Sequence, residues 1–214
     1  MSGARHAKFG GVIVAGGRAA RMGGIEKPLQ ILAGRPMLEQ IVERVRPQVD
    51  ALAIDVREPS RDKYRAWQKQ GIAILSDPFA GDAGPLGGVI GGLQWLESLG
   101  GDFTWLATFP GDTPFLPRDL VARLRVNVID AAARPIVAVD ANETQNLCAL
   151  WPLGCLSALD KGVRQDGLRS VRRALKQFDA VPCKIFSVHA FTNVNTDRDL
   201  ADAERLMEIQ PALD

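Results

Sequence analysis

Between the apolar run Val12-Ile13-Val14-Ala15 and Pro28, the chain sets four glycines (Gly16, Gly17, Gly23, Gly24) and three cations (Arg18, Arg21, Lys27). Glycines let a backbone pass close to a ligand and take φ > 0 without a steric penalty. Loop N–H groups beside cations form a concavity for an anion, and a turn of this length suits a polyphosphate. The run is not a Walker A loop, because no Gly-Lys-Ser/Thr closes it, and it lacks the Gly-x-Gly-x-x-Gly of a dinucleotide site. Three carboxylates complement it. Asp55 ends one apolar run, Asp77 follows another, and Asp112 lies in the braced turn Pro110-Gly111-Asp112-Thr113-Pro114. A carboxylate facing a phosphate loop is a place for Mg²⁺, which typically takes one or two carboxylates plus substrate phosphates. Any one Asp before such a turn could be a turn former or cap; three at corresponding strand ends favour function, with Asp112 the strongest.

Two further stretches carry polar chemistry. Asp82-Ala83-Gly84-Pro85-Leu86-Gly87-Gly88 precedes a helical pattern, whose start offers unpaired N–H groups. Asn193-Val194-Asn195-Thr196-Asp197 opens the last helix, with Thr196 placed as an N-cap and Asp199 three residues on.

The elements that must position these residues alternate. Strands are expected over residues 11–15, 51–56, 72–76 and 103–109, with helices over 37–45, 62–70, 87–99 and 117–127. Pro117 suits a first helical turn and Asp119 complements its dipole. Further strands are expected over 135–140, 147–151 and 183–187, and helices over 155–161, 168–178 and 197–209. Such alternation implies a mostly parallel sheet covered on both faces. Right-handed crossovers then gather the loops after the strands on one edge, where ligands bind. Residues 1–10 read as a disordered N-terminal tail and 11–214 as a single domain.

A net charge of +1 leaves no global field for nucleic acid or an anionic membrane, so an anion site must be local. No apolar stretch approaches the roughly 20 residues of a membrane span, and a cytoplasmic protein is expected. Three cysteines without Cys-x-x-Cys spacing argue against a disulfide framework or zinc site. Two histidines, His6 and His189, exclude a histidine-centred metal site or triad.

The glycine loop resembles the signature of Rossmann-like nucleotidyltransferases. Val14-Ala15-Gly16-Gly17 with Arg21-Met22-Gly23 and Lys27, Asp77 with Gly84-Pro85-Leu86-Gly87-Gly88, Asp112-Thr113-Pro114, and Asn193-Val194-Asn195-Thr196 together resemble the molybdenum cofactor guanylyltransferase family. The resemblance implies a three-layer α/β fold with a mostly parallel central sheet. It also implies transfer of GMP from GTP to the terminal phosphate of molybdopterin, with release of pyrophosphate. By the same resemblance Arg21, Lys27 and Asp112 are catalytic, and Asp112 is the Mg²⁺ ligand. Val14, Ala15, Gly16, Gly17, Arg21, Lys27, Asp55, Asp77, Gly84, Pro85, Leu86 and Asp112 would bind nucleotide. Asn193 and Asn195 would meet the molybdopterin side, Asn195 serving as a second metal ligand or a pterin contact. Asp55 stands where the family often has Asn, and is expected to act there as an ionised acceptor. Pro28 is expected to hold Lys27 out of helical geometry. Candidate partners are a molybdopterin-delivering protein or an acceptor molybdoenzyme. The rival readings are a relative using CTP with molybdopterin or an NTP with a sugar phosphate, and a non-catalytic GTP-binding relative.

Overall fold

The computed structural model describes residues 7–16, 21–22, 25–56, 58–79, 83–129, 131, 133–141 and 143–209, with only the backbone at 21, 22, 25, 58 and 59. Seven strands form one sheet: β1 Lys8–Val14, β2 Ala51–Val56, β3 Ala73–Ser76, β4 Phe103–Pro110, β5 Ile136–Asp140, β6 Glu143–Pro152 and β7 Val181–Lys184. Their spatial order is β7-β5-β6-β4-β1-β2-β3. β1 runs parallel to β2 and β4, β2 to β3, and β5 to β7; β6 alone is antiparallel to its neighbours. The expected mostly parallel sheet flanked by helices is therefore present.

β1 begins at Lys8, so the tail assigned to residues 1–10 is too long by at least three residues. Phe9 through Val14 are all buried. An unbroken apolar run of this kind belongs to a parallel strand covered on both faces. Because side chains alternate along a strand, Ile13 packs into one core with Leu52, Ile54 and Phe109. Val12 and Val14 enter the other with Leu106 and the helix residues Leu86, Val89 and Ile90.

The helices are α1 Met37–Val45, α2 Arg65–Lys69, α3 Pro85–Leu99, α4 Leu120–Arg125, α5 Leu156–Gln165, α6 Val171–Gln177 and α7 Asp197–Ile209. α1 buries Met37, Leu38, Ile41, Val42 and Val45, a stripe at helical spacing that faces the first core. Two expectations need correction. The helix expected over 62–70 is a 3₁₀ segment, Glu58–Tyr64, followed by the short α2. α4 starts at Leu120, so Pro117 lies in the preceding turn, and Asp119 stands at the N-cap with its carboxylate on Arg123 Nε at 2.9 Å. Among the described residues no helix is long and apolar enough to cross a membrane.

Strand register sets the working edge level. Val14 lies opposite Asp55 on one side and Pro110 on the other, and Asp55 opposite Leu75. One row across the sheet thus lies at the last or next-to-last residue of four strands, with Asp77 and Asp112 each two residues beyond it.

Candidate active site

Lys27 is the centre of the cluster. It opens a single 3₁₀ turn, Lys27–Leu29, directly after extended Glu26, and Pro28 is the second residue of that turn. Pro28 therefore helps build the turn instead of keeping Lys27 out of helical geometry. Lys27 is 8% exposed. Its ammonium donates to Asn195 Oδ1 and lies 3.5 Å from Asp112 Oδ2. A cation this dry needs anionic or carbonyl partners, and these two supply them from the far end of the chain and from the end of β4.

The Asp112 turn is held mainly by groups other than its carboxylate, which takes a long 3.3 Å bond from the Thr113 hydroxyl at Oδ1. Gly111 N–H donates to Val14 C=O at 3.1 Å, and Val194 N–H donates to Asp112 C=O at 2.9 Å. The buried Thr113 hydroxyl donates to Asn193 Oδ1 at 2.6 Å. Asn193 is thereby committed to the turn, and the structure gives it a bracing role beside the substrate role expected for it. The next residues form a reciprocal cap. Asn195 and Thr196 N–H groups each donate to Asp199 Oδ2 at 2.9 Å, and Asp199 N–H donates to Thr196 Oγ1 at 3.1 Å. The bond from Asn195 N–H leads the causes that hold the Asp199 carboxyl below its ordinary range, with the Lys27 charge a lesser one. Capping of α7 therefore also fixes Asn195 against Lys27.

Asp55 and Asp77 occupy a second zone, against the first turn of α3. Gly84 takes φ +57° before Pro85 opens the helix. A Cβ on Gly87 would overlap the Asp77 carboxylate, and one on Gly88 would stand 2.6 Å from Asp55 Oδ2. The two glycines are what let both acids approach the helix. Asp77 Oδ1 also accepts from Phe79 N–H at 2.7 Å.

Asp55 is 2% exposed, and its Oδ1 has no hydrogen-bond partner among the described residues. Burial, with the Asp77 charge adding to it, pushes its carboxyl up to about 8. Both causes favour the protonated form of Asp55 over the ionised acceptor expected for it. A protonated carboxyl, with one acceptor oxygen and one donor, approximates the amide of Asn at that position.

A stability consequence follows. An unfolded Asp titrates near 3.9, so from about pH 4 to about pH 8 the native state holds a proton that the unfolded chain lacks. Raising the pH through that window weakens the fold, by at most about 1.4 kcal/mol per pH unit. Asp55→Asn is expected to lose this slope. The melting temperature of the variant should rise relative to the parent by about 3 °C per pH unit from pH 5 to 8, then level off. Parallel melting curves for the two proteins would disprove the protonated state.

Gly17 and the run 18–20 lie outside the described residues, as do Gly23, Gly24 and Asp82, and Arg21 is described by its backbone alone. The structure brings Lys27, Asp112, Asn193 and Asn195 together, and sets Asp55 and Asp77 beside the Gly84-Pro85-Leu86 turn. Leu86 is fully buried, so its side chain serves the second core while its backbone shapes the turn. A cleft of about 600 Å³ between α1, α4 and α7, lined by Arg44, Phe115, Arg123 and His189 among others, contains none of these residues. The sequence reading missed the buried Glu26, which precedes Lys27 and accepts bonds from Lys63 and Tyr64; the one available signal was an acid directly before the lysine.

The model of the MobA-like NTP transferase domain matches residues 11–180. A molybdenum cofactor guanylyltransferase of Rhodopseudomonas palustris (strain BisB5) is 36% identical over 206 residues, covering 95% of this chain and 96% of its own. One from Acidiphilium cryptum is 36% identical over 195 residues, covering 90% and 92%. Among solved structures, molybdopterin-guanine dinucleotide biosynthesis protein A from Archaeoglobus fulgidus superposes with a TM-score of 0.73 at 19% identity, over 94% of this chain and 99% of that one. Rv0371c of Mycobacterium tuberculosis, solved as a complex with manganese, superposes at 0.62 and 17%, over 93% and 98%.

Proposed function

The chain belongs to the molybdenum cofactor guanylyltransferase family, and from that premise we propose that it transfers GMP from GTP to the terminal phosphate of molybdopterin, in the cytoplasm. The observation that carries the reading is the Lys27–Asp112–Asn195 cluster at the end of β4.

An oxygen of the molybdopterin phosphate attacks the α-phosphorus of GTP and forms a new P–O–P bridge. The bond from that phosphorus to the α,β-bridging oxygen breaks, and its electron pair leaves with pyrophosphate. The nucleophile is already anionic at neutral pH, so no general base is needed. The protein must align two polyanions and neutralise charge that develops on the leaving group.

The residues fit those tasks. Backbone N–H groups near Gly16 and Gly17, with Arg21, hold the triphosphate. The Lys27 ammonium turns from its present partners toward the phosphates. Asp77 and the Gly84-Pro85-Leu86 turn face the nucleoside, with Asp55 behind them as a neutral acid. Asn195 sits between Lys27 and the acceptor.

A divalent cation fits this donor set. Asp112 offers a partly exposed carboxylate at a strand end, and Asn195 offers a carbonyl oxygen. Among the described residues no three His, Cys, Asp or Glu side chains gather, so substrate phosphates and water would supply the remaining ligands, the mode typical of Mg²⁺. Held by Asp112, Mg²⁺ would supply charge neutralisation between the phosphates. A molybdopterin-delivering protein or an acceptor molybdoenzyme are the partners this reading implies.

Base choice tests the proposal. Guanine offers a ring N–H and an exocyclic amine as donors and a carbonyl acceptor. A pocket whose groups meet that pattern leaves them unpaired with cytosine, at about 1–3 kcal/mol each. Two such losses predict a preference for GTP over CTP on the order of 10²-fold in kcat/KM with molybdopterin as acceptor. Equal values, or a preference for CTP, would leave a cytidylyl or broader nucleotidyl transfer in its place. Absence of pyrophosphate release with every NTP would leave a non-catalytic GTP binder.

A further inference from the structure

Glu26 lies one peptide bond before Lys27 and is 7% exposed. Both of its carboxylate oxygens are engaged from the 3₁₀ segment that follows β2. Lys63 Nζ donates to Oε1 at 2.7 Å, and the Tyr64 hydroxyl donates to Oε2 at 2.9 Å. Ser60 adds a further side-chain hydrogen bond. Tyr64 is fully buried, stacked at a tilt 5.6 Å from Trp67, so the donor it presents is immobile. Glu26 also pairs with the backbone of Arg21 in a two-residue ribbon, with Met22 opposite Ile25. One carboxylate thus ties the exit of the glycine loop, the first residue of the Lys27 turn and the segment beyond Asp55 to a single buried post.

This arrangement exceeds what holding the loop down would require. An apolar side chain at position 26 would anchor a hairpin without the cost of burying a charge, which is tolerated only when it is fully hydrogen-bonded. The geometry also constrains direction. Two bonds from adjacent residues of one rigid turn fix the Glu26 carboxylate in rotation as well as place, and through it the backbone from which the Lys27 side chain departs. Burial alone would raise the Glu26 carboxyl, but the Lys63, Ser60 and Tyr64 hydrogen bonds and the Lys63 charge outweigh it and lower it overall. The post therefore stays charged throughout the neutral range.

We propose that Glu26, oriented by Tyr64, is a positioning residue that aims the Lys27 ammonium at the reacting phosphates. The proposal rests on the guanylyl-transfer reading of the Lys27–Asp112 site. Among the described residues Glu26 has no hydrogen bond to Asp112 or Asn195; its routes to the site are the peptide bond to Lys27 and the ribbon with Arg21, and the proposal assigns its effect to the first.

The test is a double-mutant cycle with two readouts: equilibrium binding of GTP in Mg²⁺, and kcat for pyrophosphate release with molybdopterin. Glu26→Gln and Tyr64→Phe are each made in the parent and in a Lys27→Gln background, and melting temperatures are measured for all. In the parent, each substitution is expected to lower kcat about tenfold while the melting temperature stays well above that of the assay. In the Lys27→Gln background the same substitutions should change kcat less than about twofold, because residues that act as a unit are non-additive. Equal losses in both backgrounds, or no loss in the parent, would overturn the positioning role. Tyr64→Phe removes one oxygen without changing charge, so it reads the role if Glu26→Gln fails to fold. A parent protein that binds GTP but releases no pyrophosphate would overturn the transferase reading. The binding arm of the cycle would still report the coupling between Glu26 and Lys27.

Discussion

Asp112→Asn should fold normally and lose on the order of 10²–10³ in kcat. The bonds that shape the turn do not need the carboxylate's charge: Val194 N–H grips the Asp112 carbonyl, Gly111 N–H grips Val14, Thr113 grips Asn193, and the longer Thr113 bond to Asp112 Oδ1 can equally be accepted by an amide oxygen. An amide of the same shape leaves them in place. What disappears is a negative charge 3.5 Å from the Lys27 ammonium, and with it the carboxylate proposed to hold Mg²⁺. Ground-state binding of GTP should change less than kcat, since the charge acts most where the pyrophosphate leaves. Steady-state pyrophosphate release across a Mg²⁺ series measures this. Unchanged turnover at saturating Mg²⁺ would remove Asp112 from the metal site.

Lys27→Gln is expected to cost a comparable 10²–10³ in kcat/KM for GTP. Glutamine can still hydrogen-bond Asn195 but offers no charge to phosphate, and it leaves Asp112 without its cation. Lys27→Arg should recover little. The ammonium fits a site with only 8% exposure, whereas a planar guanidinium is larger and spreads its charge over a fork. A variant within threefold of the parent would show that Arg21 and the loop amides alone hold the triphosphate.

The parts of the site legible in the sequence are those encoded locally. An Asp two residues past a strand end and a Thr–Asp pair at a helix start each need only neighbouring residues to be read. Thr196 and Asp199 form the cap their spacing suggested. Contacts between distant segments were not legible, and the hold of Lys27 on Asn195 is one of them. Element limits failed where the pattern was weak. β7 occupies Val181–Lys184 because it takes its register from β5, with Val181 opposite Ile136; its own alternation of half-buried and exposed residues is shallow. β6 extends back to Glu143 because its polar start pairs across a tight hairpin with Asp140, which no apolar run could announce. The ionisation of Asp55 was hidden for a different reason. It depends on burial beneath Gly88 and on Asp77, and neither follows from the residue type.

The partners in the Lys27–Asn195 bond stand 168 residues apart. A ribosome adding roughly 5–20 residues per second needs about ten to thirty seconds to make that stretch. Throughout that interval the nascent chain already displays its glycine loop, yet Lys27 has no Asn195 to meet. On the proposed role of Asn195, catalytic competence waits until the last helix has been made and capped. An incomplete chain, stalled or cut short before Asn195, would lack the Lys27 partner that the proposal places in the site.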